Sequence, residues 1–225
     1  METLQNGGDG RNDRRRFVVD RHRPAVDSAS AFAHETSVNA LLLIGGPAGV
    51  GKTELARWIL STVSAHGHRR TRVLSARDMA SRIVEALRHN TRGEMSCRFG
   101  RGDCVAIEDV SDLRGKPATL EELGRVTARW VTAGARIVCT AGCPVQEIAA
   151  FERRLPPAPT SRIVILGKPT RSEMRVILKT LARAASVSLD GQSLLDLSWW
   201  CNGDIRRAVG AIEQLAFHAS VVASR

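Results

Sequence analysis

A complete phosphate-binding motif of the form G-x-x-x-x-G-K-[ST] occupies residues 46–53 of this chain. It follows an apolar run at residues 41–44 and precedes a helix-patterned stretch at residues 54–61. In this order a strand delivers the loop to the N-terminus of a helix, where the loop amides and the helix end converge on an anion. The motif therefore predicts an α/β fold that binds a nucleoside triphosphate.

The motif assigns a role to its individual residues. Its glycines lack a Cβ where the backbone must curl around phosphate, Lys52 would reach the β- and γ-phosphates, and Thr53 would hold Mg²⁺ through its hydroxyl. A glycine-rich turn without a ligand is the alternative, which the strand-to-helix context disfavours. The predicted nucleotide-binding residues of the loop are Gly46, Pro47, Ala48, Gly49, Val50, Gly51, Lys52 and Thr53.

Short β-rich runs alternate with helix-length segments at residues 41–44, 71–74, 104–107, 137–140 and 163–166. This alternation predicts a five-stranded parallel sheet with crossover helices. Two capping boxes, Thr119 with Glu122 and Thr170 with Glu173, predict helix starts. Beyond Thr170 the strand patterns stop, and a small helical lid is predicted from three segments at about 171–185, 190–200 and 204–218.

The chain therefore divides into three predicted parts. Residues 1–16 are polar and arginine-rich with almost nothing to bury, so we expect a disordered basic tail. Residues 17–168 are predicted to form the α/β nucleotide-binding domain, and residues 169–225 the helical lid. No apolar stretch reaches the ~20 residues that span a bilayer, which predicts a cytoplasmic protein without membrane contact.

Polar residues at strand and helix ends complete the predicted site. Glu108 and Asp109 follow the apolar run at 104–107, where adjacent carboxylates can orient the Mg²⁺ shell and polarise an attacking water. Thr140 ends another strand, where its hydroxyl would sense the γ-phosphate or merely cap the strand. Arg206 lies in the first turn of the last predicted helix, from which a guanidinium can reach the γ-phosphate, a solvated surface arginine being the alternative.

An excess of basic residues indicates an acidic partner. The chain has 33 Lys and Arg against 23 Asp and Glu, a formal net charge of +10, which favours nucleic acid over a neutral partner. The densest basic stretch lies between residues 68 and 101, and its candidate DNA contacts are Arg82, Arg88 and Arg92. Because only 4% of the residues are aromatic, we expect contacts to the phosphate backbone rather than base stacking. An ordinary solvated helix face is the alternative.

Taken together, these motifs resemble those of an AAA+ ATPase, and longer stretches resemble the DnaA type of bacterial replication initiator. Phe17, Val18 and Val19 look like the segment that closes over the adenine in that family. Residues 103–116 look like its Walker B strand and the residues that follow it. Residues 75–99 resemble the initiator-specific helical insertion, which in the family contacts single-stranded DNA inside the oligomer.

The resemblance implies a slow ATPase that binds ATP and Mg²⁺, assembles with like subunits or with an initiator, and contacts DNA. In this assignment Glu108 and Thr53 hold Mg²⁺, Asp109 positions the attacking water, and Arg206 senses the γ-phosphate. The implied role is in replication initiation or its regulation. Two alternatives remain open, namely a non-hydrolysing Hda-like regulator or adaptor, and a helicase or transposition loader.

Several positions depart from the family pattern. Glu108 replaces the first of the two Walker B aspartates, and the aspartate that follows the sensor position in the family is absent. The family's arginine finger is replaced by Pro-Pro-Ala-Pro at residues 156–159, which leaves Arg154 and Arg162 as possible trans arginines. The chain ends at Arg225, so we expect no C-terminal helix-turn-helix and no sequence-specific duplex binding through that module.

Overall fold

The computed structural model describes residues 20–35, 40–66, 70–89, 99–144, 146–148, 153 and 160–223. These residues divide into two units. One spans Pro24–Lys168, and the other contains the residues from Pro169 onward together with those before Pro24. The predicted tail at residues 1–16 lies outside the described residues.

The first unit is an α/β fold built on a parallel sheet. Its helices and strands, in chain order, are α1 (Arg23–His34), β1 (Ala40–Gly45), α2 (Lys52–Ala65), β2 (Thr71–Ser75), α3 (Ala76–Arg88), β3 (Cys104–Glu108), α4 (Pro117–Thr132), β4 (Arg136–Ala141) and β5 (Thr160–Ile165). The strand order is β2-β3-β4-β1-β5, and every neighbouring pair is parallel. The predicted five-stranded parallel sheet is confirmed.

The register of the strands brings three chain segments to one edge of the sheet. Gly45, the last residue of β1, pairs with Ala141 at the end of β4 and with Ile165 at the end of β5. Strand β3 pairs with β4 through Ile107 and Cys139. The carboxyl ends of parallel strands lie along the same side of a sheet. The loop after β1, the turn after β3 and the end of β4 are therefore neighbours there.

Helix α4 begins earlier than its predicted capping box. Its first residue is Pro117 and its N-cap is Lys116, which makes no side-chain capping hydrogen bond. Proline suits the first helical position, because its φ is already helical and its missing N–H would be unsatisfied there anyway. Thr119 therefore lies inside the first turn, and Glu122 is buried and accepts a hydrogen bond from Arg125 at 2.8 Å. The predicted capping box of Thr119 and Glu122 is wrong.

A buried arginine, which the sequence patterns did not predict, joins α1 to the sheet. Arg136 opens β4 and is only 1% exposed. Its Nη1 donates hydrogen bonds to the carbonyl oxygens of Phe32, Ala33 and Glu35, at 3.1, 3.2 and 3.1 Å. These are among the last carbonyls of α1 and the residue after it, which have no partners within the helix. Arg136 therefore stabilises the end of α1 from the first residue of β4.

The second unit is a helical bundle, and its three helices confirm the helical segments predicted after Thr170. It contains α5 (Arg171–Ala184), α6 (Gly191–Cys201) and α7 (Ile205–Ala223) around a core that includes Met174, Leu178, Leu194, Cys201 and Ile212. The capping box of Thr170 and Glu173 is present at the start of α5. Asn202 and Gly203 adopt left-handed φ angles of 46° and 77°, which end α6 at the predicted break. No helix in the described part of the chain is long and apolar enough to cross a membrane.

Candidate nucleotide-binding site

The loop between β1 and α2 has the backbone of a phosphate cradle. Gly46, Gly49 and Gly51 have φ angles of 143°, 78° and 96°, in the left-handed region that favours glycine. A methyl group on Gly46 would also lie 2.2 Å from the carbonyl oxygen of Leu166, so no side chain fits at this position. The amide of Leu166 donates to the carbonyl of Gly45 at 2.9 Å, which holds the start of the loop against the segment after β5.

Lys52 lies at the first turn of α2, and its amine is folded against the loop. The side chain is 7% exposed, and Nζ donates to the carbonyl oxygens of Gly46 at 3.0 Å and Pro47 at 2.7 Å. The loop therefore holds a positive charge beside its own backbone and beside the N-terminus of α2. A phosphate oxygen forms a stronger, charge-assisted hydrogen bond with an ammonium than a neutral carbonyl does. This position fits the predicted role of Lys52.

Asp109 leaves the sheet in an unusual conformation. Its φ and ψ are 57° and 51°, in the left-handed region, and it precedes a 3-10 turn that spans Val110–Leu113, without a side-chain capping hydrogen bond. Its amide donates to the hydroxyl of Thr140 at 2.9 Å, across from β3 to β4. Thr140 is fully buried, with 0% exposure. The structure thus places Thr140 behind Asp109, where its hydroxyl supports the backbone of that residue.

Three polar side chains surround Gly142, the residue after β4. The hydroxyl of Ser111 accepts a hydrogen bond from the amide of Gly142 at 2.8 Å. A methyl group on Gly142 would lie 3.4 Å from Ser111 Oγ, 3.9 Å from Asp109 Oδ1 and 4.0 Å from Lys52 Nζ. The structure therefore brings the predicted phosphate-binding lysine and the predicted water-positioning carboxylate to one point. Sequence patterns gave no sign of Ser111, because its contact joins two separate strand ends.

Glu108 has the features of a cation ligand. Burial raises the pKa of Glu108, the nearby Arg57 guanidinium lowers it, and the Asp109 carboxylate raises it, with a net increase. Arg57 Nε lies 3.8 Å from Glu108 Oε1, an ion pair that sequence patterns did not predict. Oε1 is buried yet has no hydrogen-bond partner. A second cation beside this oxygen would supply the missing partner and favour the ionised carboxylate.

The surrounding donors fit Mg²⁺ better than a transition metal. Among the described residues there is no group of three or more His, Cys, Asp and Glu side chains that could hold a metal ion. Mg²⁺ needs no such group, since it usually takes one or two protein oxygens and completes its shell with water and nucleotide phosphates. Thr53 follows Lys52 in the first turn of α2, the helix that also carries Arg57. Glu108 offers a buried carboxylate oxygen without a hydrogen-bond partner, a kind of ligand that Mg²⁺ takes.

The other predicted site residues are found on helices α3 and α7 and on strand β5. Arg82 and Arg88 are exposed on α3, and Arg206 is on α7 of the helical unit, 72% exposed, with its Nε 3.9 Å from Asp204 Oδ1. Arg162 lies within β5 and forms an ion pair with Glu35 at 3.2 Å. The remaining predicted residues lie outside the described residues; they are Phe17, Val18, Val19, Arg92 and Arg154.

Comparison with known proteins places this geometry in a family. The sequence model of the bacterial DnaA ATPase domain matches residues 17–163. The chromosomal replication initiator protein DnaA of Zymomonas mobilis is 26% identical over 211 residues, which cover 91% of this chain and 43% of that protein. The chain thus spans less than half of the length of this relative.

Solved structures agree in fold. Domain III of the Thermotoga maritima replication initiation protein DnaA superposes with a TM-score of 0.69 at 19% identity, covering 93% of this chain and 89% of that one. The replication initiator DnaA bound to AMPPCP and single-stranded DNA superposes with a TM-score of 0.64 at 20% identity, covering 86% and 60%. The chain therefore belongs to the bacterial DnaA ATPase domain family and has the fold of an AAA+ P-loop NTPase with a helical lid.

Proposed function

We propose that this chain is an ATP-binding and slowly hydrolysing AAA+ module that acts in DNA replication initiation or its regulation. One observation carries the proposal, namely that Lys52 and Asp109 face the same point beside a glycine cradle with left-handed φ angles. Family membership supports the role in replication, because the similar full-length proteins are named chromosomal replication initiators. The bound AMPPCP in a structure of the same fold supports adenine nucleotide as the ligand.

The described side chains divide the work of the proposed reaction. Lys52 and the loop amides bind the phosphates, and Asp109 orients the attacking water and accepts its proton, held by the hydrogen bond of its amide to Thr140. Glu108 and Thr53 hold the Mg²⁺. When bound, the metal neutralises charge that develops on the phosphate oxygens. Arg206 is the proposed sensor of the γ-phosphate, because a guanidinium suits a phosphate oxygen.

DNA and further subunits are the proposed macromolecular partners, and the cytoplasm is the proposed location. Arg82 and Arg88 are exposed on α3, where they are available to a phosphate backbone. A structure of the same fold was obtained with single-stranded DNA. Arg154 and Arg162 remain the proposed trans arginines for a neighbouring site. Arg162 would first have to leave its ion pair with Glu35.

Equilibrium dialysis with labelled ATP and Mg²⁺ tests nucleotide binding. The unsubstituted chain is expected to take up ATP, and Lys52→Ala is expected to abolish uptake, because the alanine removes the charge beside the cradle. Lys179→Ala is the matched control, since it removes the same charge from an exposed position on α5. No uptake by the unsubstituted chain, or equal uptake by the Lys52 variant, would contradict the proposal.

ATP turnover at increasing protein concentration tests hydrolysis and assembly. A specific rate that rises with concentration is expected if neighbouring subunits complete each other's sites. Tight binding with negligible turnover at every concentration would instead identify a regulator or adaptor that uses ATP only to set its conformation. Stable association with a helicase hexamer would identify a loader.

A further inference from the structure

The polar side chain near the carboxyl end of β4, that of Thr140, is buried. The last residues of β4 are Thr140 and Ala141, and Gly142 follows. The hydroxyl of Thr140 already accepts the Asp109 amide and is fully buried. The Thr140 hydroxyl therefore supports the Asp109 backbone from a buried position.

The turn that follows Asp109 brings a second hydroxyl, that of Ser111, to the residue after β4. Ser111 belongs to the turn Val110–Leu113, whose two apolar ends are buried in the core. Its Oγ accepts a hydrogen bond from the Gly142 amide at 2.8 Å, which leaves its own hydrogen for donation to another group. A methyl group on Gly142 would touch this oxygen at 3.4 Å, with Asp109 Oδ1 and Lys52 Nζ within 4.0 Å of the same methyl.

The turn is also held firmly in place. Asp112 accepts a hydrogen bond from Arg77 of α3 at 3.0 Å, and Val110 and Leu113 are 0% and 1% exposed. Ser111 therefore belongs to an anchored turn, and its hydroxyl is also held by the amide of Gly142. A donor held in this way loses little further entropy when it binds an anion.

We propose that Ser111 donates a hydrogen bond to the terminal phosphate of the triphosphate. The proposal rests on the ATP-binding function argued above and deepens it. Because a diphosphate lacks the terminal group, Ser111 contributes to the affinity for ATP and to turnover but not to the affinity for ADP.

The test compares ATP and ADP binding with turnover in the full chain. Ser111→Ala is expected to leave the ADP dissociation constant unchanged and to weaken ATP binding and slow turnover by roughly tenfold each, the effect of one lost hydrogen bond to a charged acceptor. Ser111→Thr keeps the hydroxyl and is expected to retain the preference for ATP over ADP. Gly142→Ala inserts a methyl at an ordinary contact distance from Ser111 Oγ and is expected to reduce the same preference while the protein stays folded.

The outcomes separate this proposal from the function on which it rests. If the unsubstituted chain binds ATP and Lys52→Ala abolishes binding, but Ser111→Ala and Gly142→Ala keep the ATP-to-ADP affinity ratio and the turnover rate, only the role of Ser111 is overturned. Equal losses of ATP and ADP affinity in Ser111→Ala, or a threonine variant as defective as the alanine variant, also overturn it. Absence of ATP binding in the unsubstituted chain overturns both proposals.

Discussion

The backbone of Asp109 explains how a carboxylate at the end of a strand turns toward the phosphate loop. A left-handed conformation, here with φ of 57°, costs most residues about 1–2 kcal/mol, but aspartate and asparagine adopt it more readily because their short side chains form local hydrogen bonds. Thr140 offsets part of this cost by accepting the Asp109 amide. The left-handed backbone of Asp109 thus sets the direction of its carboxylate.

Asp109→Asn separates chemistry from conformation. Asparagine tolerates the left-handed region but cannot accept the proton of water, so turnover is expected to fall by about 100-fold or more with ATP affinity retained. Asp109→Ala is the comparison, and it is expected to lose about 1 kcal/mol of unfolding free energy as well, because alanine does not favour this conformation. Single-turnover kinetics and urea unfolding measure both quantities. An asparagine variant as active as the unsubstituted chain would show that Asp109 takes no part in proton transfer.

The end of helix α1 depends on Arg136 of strand β4 for its hydrogen bonds. Replacing Arg136 with methionine keeps most of its volume but leaves carbonyls at the end of α1 without their donor. At about 1 kcal/mol for each buried acceptor left unsatisfied, the variant is expected to lose about 3 kcal/mol of unfolding free energy. Arg136→Lys is expected to lose less, since an ammonium keeps the charge and some of the donors. Equal midpoints of urea unfolding for the arginine and methionine proteins would refute this account.

The stability that the start of α5 contributes to the fold is expected to depend on pH through Glu173. Burial raises the pKa of this carboxyl. The hydrogen bonds from Thr170 and the charge of Arg21 together lower the pKa by more than burial raises it, so the pKa lies below its ordinary value of 4.5. A lowered pKa stabilises the folded state above the unfolded pKa, and the contribution is lost as pH falls through the folded pKa. Glu173→Gln is therefore expected to weaken the loss of stability with falling pH below 4.5.

The companion variant Thr170→Ala tests the other half of the same capping box. It is expected to cost about 1 kcal/mol at neutral pH, the typical value of a threonine cap. Urea unfolding at neutral and acidic pH measures both variants. If the unfolding free energy of Glu173→Gln falls with pH as much as that of the unsubstituted chain, the capping box does not cause the loss of stability at acidic pH.

Local patterns predicted the elements well and the contacts between them poorly. The apolar runs predicted all five strands, and the phosphate motif predicted the loop before α2, because both signals lie within a few consecutive residues. The start of α4 was misplaced because Pro117 defines it by its ring rather than by a capping side chain. Ser111 and Arg136 were missed because their partners lie 31 and about 100 residues away along the chain.

Charge is the property of the whole molecule that bears on its partner. A net charge of +10 attracts any polyanion, so weak nucleic acid binding alone would not identify a site. A specific basic surface can be told from general charge attraction by counterion release. Only the residues that contact the phosphates of the bound strand displace its counterions. The number of such residues is given by the dependence of affinity on salt.

Salt dependence of single-stranded DNA binding therefore tests α3 as the interface. The double variant Arg82→Ala and Arg88→Ala is expected to reduce the slope of log K against log salt by about 1.4, since each phosphate contact on a single strand contributes about 0.7. The control is Arg175→Ala with Lys179→Ala, which removes the same charge from exposed positions on α5. Fluorescence anisotropy with a short labelled oligonucleotide gives the affinities. Equal slopes for the two double variants would show that the attraction comes from overall charge, and would remove α3 from the proposed function.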